Sequence, residues 1–335
     1  MGAGRGGGHG EECRHGGAPT EGFPGVRDPT ESRTALLGSG APVIVPDPGV
    51  GKACALPDAA VPMAKTWFIT GTSRGFGREW ATAALERGDS VAATARDVSS
   101  LEDLATRFGD RVLPLALDVT DRAAVQPAVD AAVARFGRLD VVVNNAGYGQ
   151  FGMVEELSEH DARQQMEVNL FGALWVTQAV LPQLRAQGSG HVLQVSSIGG
   201  ISAFQNVGMY HASKWALEGL SQSLAQEVSS FGIHVTLVEP GGFATDWGGS
   251  SARHAEALPA YDGVREAAQQ ARSQRTSAPG DPRASAAAVL QVVDADEPPL
   301  RVFLGAAPLA IAEADYASRL ETWRAWQPVA EKAGG

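Results

Sequence analysis

"KTWFITGTSRGFG", residues 65–77, decides the fold. Its first half is a short apolar run of the β-rich kind that a sheet buries on both faces. Its second half places Gly71, Gly75 and Gly77 where the chain leaves that strand and enters a helix. Glycine permits the tight turn, and its missing side chain lets the backbone approach an anion at the helix N-terminus, where free N–H groups and the helix dipole favour negative charge. The spacing is TGxxxGxG, which departs from the GxGxxG of the usual dinucleotide fingerprint.

The same alternation continues outward from this stretch. "SVAATA" (90–95), "RVLPLAL" (111–117), "LDVVVNN" (139–145), "GHVLQVSS" (190–197), "GIHVTLVEP" (232–240) and "LRVFLG" (300–305) read as further strands. Helical patterns over 77–88, 121–136, 158–186, 209–231 and 282–294 separate them. Strand and helix alternating at this spacing imply right-handed βαβ units and a parallel sheet covered on both faces. The expected fold class is therefore doubly wound α/β with about seven strands, a single domain over 63–310, followed by a C-terminal helix or tail over 311–335.

Composition excludes several classes of function. The chain has 335 residues, 44% of them hydrophobic, and a formal net charge of −11. Such acidity argues against a nucleic-acid or anionic-membrane partner, and no apolar run reaches the length of a membrane span. The two cysteines, Cys13 and Cys54, are too few and too near the N-terminus for a disulfide framework or a metal site. His160, His191, His211, His234 and His254 show no metal-ligand spacing, so no metal is expected. The reading is a soluble cytoplasmic protein. Residues 1–62 hold 14 Gly and 8 Pro and lack periodicity, which predicts a disordered extension; Met63, directly before the first strand, is the expected natural start.

A second stretch, "MYHASKWALEG" (209–219), sets Tyr210 and Lys214 four positions apart in a helical pattern. Positions i and i+4 project from one helix face, and an ammonium beside a phenol favours the phenolate, as a general acid/base requires. With the glycine loop, "LDV" (117–119), "NNAG" (144–147), Asn169 in "EVNLFG", "VSSIGG" (195–200) and "PGGFATD" (240–246), this stretch resembles the short-chain dehydrogenase/reductase family, its motifs in the family's order from Lys65 to about Gly305.

That resemblance implies a Rossmann-type fold and hydride transfer between a nicotinamide and a carbonyl or secondary alcohol. Tyr210 would donate the proton, Lys214 would favour its phenolate and hold the nicotinamide ribose, Ser197 would orient the substrate oxygen, and Asn169 would support a water relay to the lysine. Cofactor-binding residues would be Gly71, Ser73, Arg74, Gly75, Phe76 and Gly77 of the loop; Asp118 and Val119 at the adenine; Asn145, Ala146 and Gly147 beside the adenosine half; Tyr210 and Lys214 themselves; and Pro240, Gly241 and Thr245 near the carboxamide.

Cofactor choice turns on "AATARD" (92–97). A ribose 2′-hydroxyl is normally held by an acid, and a 2′-phosphate by a cation. Arg96, with Arg74 in the loop, favours NADP; Asp97, twenty residues after Gly77, is the candidate for NAD. Trp247 begins a Gly/Ser-rich stretch where the family carries a mobile substrate lid, and suits either substrate contact or packing. Expected partners are a small carbonyl or alcohol substrate and further copies of the chain, as a dimer or tetramer. NAD-linked alcohol oxidation and a non-enzymatic dinucleotide sensor on the same fold are the competing readings; intact Ser197, Tyr210 and Lys214 count against a sensor.

Overall fold

The computed structural model describes residues 64–273 and 278–334, so the expectations for residues 1–62 and for Met63 lie outside the described residues. Within them, each expected strand forms. β1 (Thr66–Ile69), β2 (Ser90–Ala95), β3 (Val112–Ala116), β4 (Val141–Asn144), β6 (Gly190–Val195), β7 (Ile233–Pro240) and β9 (Arg301–Leu304) build one sheet in the order β3-β2-β1-β4-β6-β7-β9. Every pairing is parallel, with Trp67 of β1 opposite Val91 of β2 on one side and Val141 of β4 on the other. The order reverses between β1 and β4, which opens a crevice at their C-terminal ends.

The helices follow from local sequence signals. α1 (Gly75–Arg87) stops at Gly88, whose φ of 108° a side chain would disfavour. α3 (Arg122–Phe136) is capped by Asp121, α4 (Glu159–Met166) by Ser158 and α8 (Pro282–Asp294) by Asp281, each side chain accepting a first-turn backbone N–H. α2 (Glu102–Phe108), α5 (Gly172–Gln187), α6 (Gly208–Val228), α7 (Asp262–Ser273) and α9 (Pro308–Ala333) complete the set of described helices.

Because side chains alternate across a strand, β1 feeds two cores. Trp67 and Ile69 pack with α1 and α8, whereas Phe68 packs with α3, α5 and α6 on the other face. Both buried indoles that could strand a donor have acceptors: Trp67 Nε1 donates to Asp89 Oδ2 at 2.7 Å and Trp80 Nε1 to Ser285 Oγ at 2.8 Å.

Three differences from the sequence reading bear on function. The helix expected over 158–186 is interrupted by a π-helical turn, Glu167–Phe171, which re-aims Asn169 inward. The stretch expected as a lid carries a two-residue strand, β8 (Arg253–His254), paired with β5 (Gln150–Phe151) in a small second sheet. The C-terminal helix begins at Pro308 rather than 311, and of its residues only Pro308 and Ala312 are buried. No described helix is long and apolar enough to cross a membrane.

Phe68 is fully buried in the second core, and Val154 is 79% exposed. Phe68→Ala should therefore lower the unfolding free energy by about 3–5 kcal/mol, while Val154→Ala should change it by less than about 0.5 kcal/mol. Denaturant titration of both variants checks this.

Candidate active site

The glycine loop is held from below by the next strand in the sheet. Thr70 Oγ1 donates to the Val143 carbonyl at 3.3 Å and accepts the N–H groups of Asn145 and Ala146, both at 3.0 Å. Asn145 Nδ2 in turn donates to the carbonyls of Thr70 (2.8 Å) and Gly71 (2.9 Å). Gly71 and Gly75 adopt φ of 69° and 61°, in the left-handed region. Gly77 is required for a different reason, since a Cβ there would stand 2.4 Å from Asn145 Nδ2 and 2.5 Å from the Gly71 carbonyl oxygen. Asn144, the other asparagine of the pair, is a core group bonded to Thr177 Oγ1 at 2.9 Å.

Tyr210 and Lys214 lie one turn apart on α6, both buried. Ser197, in the turn after β6, lines the cleft with Tyr210; its Oγ accepts the Gly199 N–H at 3.0 Å, which leaves its own hydroxyl proton unspent. Lys214 Nζ donates to the Val195 carbonyl at 2.7 Å and stands 5.8 Å from the centre of the Tyr210 ring. Burial pushes the Tyr210 phenol up to about 12, opposed by Ser197, and burial pulls the Lys214 ammonium down to about 8, opposed by Glu218. Tyr210 is thereby held as a neutral phenol, a group with a proton to give.

Asn169 is buried in the π turn. Its Oδ1 accepts the Tyr148 N–H at 3.1 Å, and its Nδ2 donates to the Tyr148 carbonyl at 3.1 Å and to Ser213 Oγ at 3.2 Å. Gly147 separates it from the lysine, since a Cβ at Gly147 would lie 3.1 Å from Asn169 Oδ1 and 3.7 Å from Lys214 Nζ. His211 is satisfied on both ring nitrogens, by the Gly199 carbonyl (2.8 Å) and the Phe204 N–H (2.9 Å), and burial lowers its pKa, which fixes it as a neutral packing residue.

One cleft of about 670 Å³ is lined by every expected site residue except Gly77 and Asn169, which support it from behind. Ser73, Arg74 and Phe76 edge it beside the glycines, and Phe76 also packs edge-on to Phe243 at 5.0 Å. Arg96, Asp118 and Val119 close one end; Pro240, Gly241 and Thr245 close the other. Asp118 accepts the Thr120 N–H and hydroxyl, at 3.0 and 2.7 Å. Asp97 is spent on a local cap, accepting Ser99 N and Oγ at 3.0 and 2.7 Å, which holds its carboxyl below the usual range. Arg96 is exposed at the rim. Arg74 departs from the expectation of a free cation, because Asp246 Oδ2 at 2.6 Å and Ser250 Oγ at 3.0 Å occupy its guanidinium.

Tyr148 and Arg253, which fall within the stretches 148–151 and 248–282 that the sequence reading assigns to the substrate pocket, also line the cleft, with the Arg253 guanidinium 5.1 Å over the Tyr148 ring. The sequence reading missed Thr70, although a hydroxyl at the end of β1 was visible. Trp247, for which the sequence admits either substrate contact or packing, packs at the cleft. Its ring stands 4.8 Å from that of Tyr210 and 5.2 Å from that of Phe151, and it covers Gly149, where a Cβ would meet the indole at 2.6 Å. No group of His, Cys, Asp and Glu among the described residues could hold a metal.

The cleft fits a dinucleotide. α1 begins without a side-chain cap and without an acid in its first turn, so its N–H groups are available to a pyrophosphate, and Gly71, Gly75 and Gly147 present no side chain to the cleft they line. When bound, such a nicotinamide cofactor supplies or accepts hydride. The chain's own residues supply a phenol proton at Tyr210 Oη, a hydroxyl donor at Ser197 and a buried ammonium at Lys214.

Comparison with known proteins agrees with this geometry. Residues 65–256 match the family model described as short chain dehydrogenase. The chain is 46% identical over 269 residues to oxidoreductase BOA17 of Botryotinia fuckeliana, covering 78% of this chain and 97% of that protein. A short-chain dehydrogenase from Streptomyces avermitilis aligns with a TM-score of 0.75 at 40% identity, over 81% of this chain and all of the other. An alcohol dehydrogenase from the archaeon Thermococcus sibiricus, complexed with 5-hydroxy-NADP, aligns with a TM-score of 0.61 at 29% identity, over 72% of this chain and 96% of that one.

Gly77→Ala should force Asn145 and the Gly71 carbonyl apart and spoil the anion cradle, weakening dinucleotide binding by about tenfold or more. Fluorescence titration with NADPH reads this; a variant binding as well as the parent would show that the loop absorbs a methyl group.

Proposed function

The chain belongs to the short-chain dehydrogenase/reductase family of NAD(P)-dependent oxidoreductases, and we propose that it is an NADP(H)-dependent member. It moves hydride between the nicotinamide and a carbonyl or secondary alcohol, with Tyr210 as general acid/base. The observation that carries this reading is the meeting of a buried neutral Tyr210, Ser197 and Lys214 in the cleft that the glycine loop floors. A carbonyl oxygen bound between Ser197 and Tyr210 receives a hydrogen bond from each, and as negative charge develops on it the phenol proton transfers. The buried ammonium of Lys214 stabilises the phenolate left behind, and Asn169, anchored on the Tyr148 backbone, supports the water relay that returns a proton.

Preference for NADP rests on Arg96, exposed at the cleft rim, and on Asp97 being engaged with Ser99; Arg74 lines the same cleft and joins in only by exchanging Asp246 for the phosphate. Asp118 and Val119 then flank the adenine, Asn145 to Gly147 the adenosine half, and Pro240, Gly241 and Thr245 the carboxamide. The ring of Trp247 against that of Tyr210 supports a largely apolar substrate of modest size, entering under the stretch from Gly248 to Pro282. A cytoplasmic homo-oligomer, dimer or tetramer, completes the reading, supported by the acidic composition and by the family.

Purified protein should oxidise NADPH in the presence of at least one ketone or aldehyde of a broad panel, and more efficiently than NADH. Tyr210→Phe should lose about 10²–10⁴-fold in turnover with NADPH affinity nearly intact. Replacing Arg74 and Arg96 together with glutamine should shift the NADPH/NADH preference by about tenfold or more. Equal loss for both cofactors would return Asp97 to consideration.

A further inference from the structure

Behind the cleft, where α6 packs on β7, five buried side-chain oxygens have no hydrogen-bond partner: Ser196 Oγ, Ser221 Oγ, Glu218 Oε1 and both carboxyl oxygens of Glu239. A Cβ built on Gly200 would stand 2.7 Å from Ser196 Oγ and 3.2 Å from Glu218 Oε1, so these two atoms face one small space. Arg301 of β9 closes it. Its Nε donates to Glu218 Oε2 at 2.9 Å and lies 3.5 Å from Glu239 Oε1, while its Nη2 donates to Gln222 Oε1 at 2.9 Å.

Two buried carboxyl groups that share the Arg301 guanidinium carry a surplus of acceptors, an arrangement a low-dielectric interior resists. One proton held between the carboxyl groups removes this fault, because it lowers the buried charge and turns one acceptor into a donor. Ser196 then has a hydroxyl proton to spend on an oxygen that remains.

We propose that Glu218 and Glu239 share a single proton and, in that state, fasten the helix carrying Tyr210 and Lys214 to the strand that ends in the Pro240–Gly241 turn. Glu218 lies one turn beyond Lys214 on α6, and Glu239 directly precedes Pro240. Both are positioning residues for the nicotinamide end of the cleft, an assignment of that end which rests on the function proposed above.

The groups facing the pair are few: Lys214 and Gln222 on α6, Arg301 on β9, and the Ser196 hydroxyl at the end of β6. Burial first, and then the Glu218 charge, push the Glu239 carboxyl above the ordinary carboxylate range, against the pull of Arg301. A group whose pKa is raised on folding stabilises the fold fully below its unfolded value and loses that contribution as pH rises through the folded one. The fold, and the turn that Glu239 anchors, should therefore loosen as pH rises from the carboxylate range toward alkaline.

Thermal melting of the full chain and of Glu239→Gln from about pH 5 to pH 9 tests this, because an amide imitates the protonated carboxyl and cannot ionise. The Tm of the parent should fall relative to that of the variant by about 3 °C or more across the range. A difference independent of pH would overturn the shared proton. NADPH titration at the two ends of the range reads the positioning role: affinity should weaken more with pH in the parent than in the variant, and parallel behaviour would overturn it. Lys214 titrates in both proteins, so the positioning role is read from the difference between parent and variant and not from either pH slope alone. Should NADPH fail to bind at any pH, the cofactor assignment falls while the melting result still decides the proton. If the variant does not fold, infrared spectroscopy of the parent decides instead: a protonated-carboxyl band surviving at neutral pH supports the pair, and its absence overturns it.

Discussion

Everything in the site hangs on how the C-terminal ends of β1 and β4 are tied together. The strand order reverses between them, so no helix crosses directly above that point and a crevice opens. A crevice at a sheet edge exposes backbone groups that must be bonded, and Thr70 with Asn145 bonds them in both directions. That stitching fixes Gly71 in the left-handed region and seats Gly77 against it. The first turn of α1 is thereby aimed into the cleft with its N–H groups unspent.

Burial sets the electrostatics of the same region. Tyr210, Lys214 and Glu239 are each displaced toward their neutral forms, and in each the first cause is desolvation rather than a neighbouring charge. A neutral phenol is the proton source that carbonyl reduction requires. Lys214, pulled down to about 8, gives its hydrogen bond to the Val195 carbonyl, with Glu218 a turn away as the acidic influence that opposes its burial. The chain thus arranges two layers of ionisable groups along one face of α6, the outer layer at the cleft and the inner one against β7.

The strands and most helices were legible in the sequence because each depends on local signals. Apolar runs of strand length, Ser158, Asp121 and Asp281 at helix starts, and glycines at turns all act within a few residues. The candidate site residues were named through a resemblance whose motifs stand in order, and the cleft is lined by all of them except Gly77 and Asn169. Less legible was whatever depends on distant partners. The bond from Arg74 to Asp246 spans 172 residues, and the contact of Trp247 with Gly149 spans nearly a hundred; periodicity does not encode either. The burial of the phenol was not legible for a related reason, since spacing puts Lys214 on the same helix face but says nothing of how deeply either side chain lies. The π turn at Asn169 likewise breaks a pattern that reads as a continuous helix.

The most direct test of hydride transfer uses NADPH carrying deuterium at the transferred position of nicotinamide C4, with whichever carbonyl compound the protein reduces fastest. Mass spectrometry of the alcohol should find one deuterium on the carbinol carbon, while the hydroxyl proton exchanges with solvent. An alcohol whose new C–H hydrogen came from water, or oxidation of NADPH without label in the product, would contradict the account.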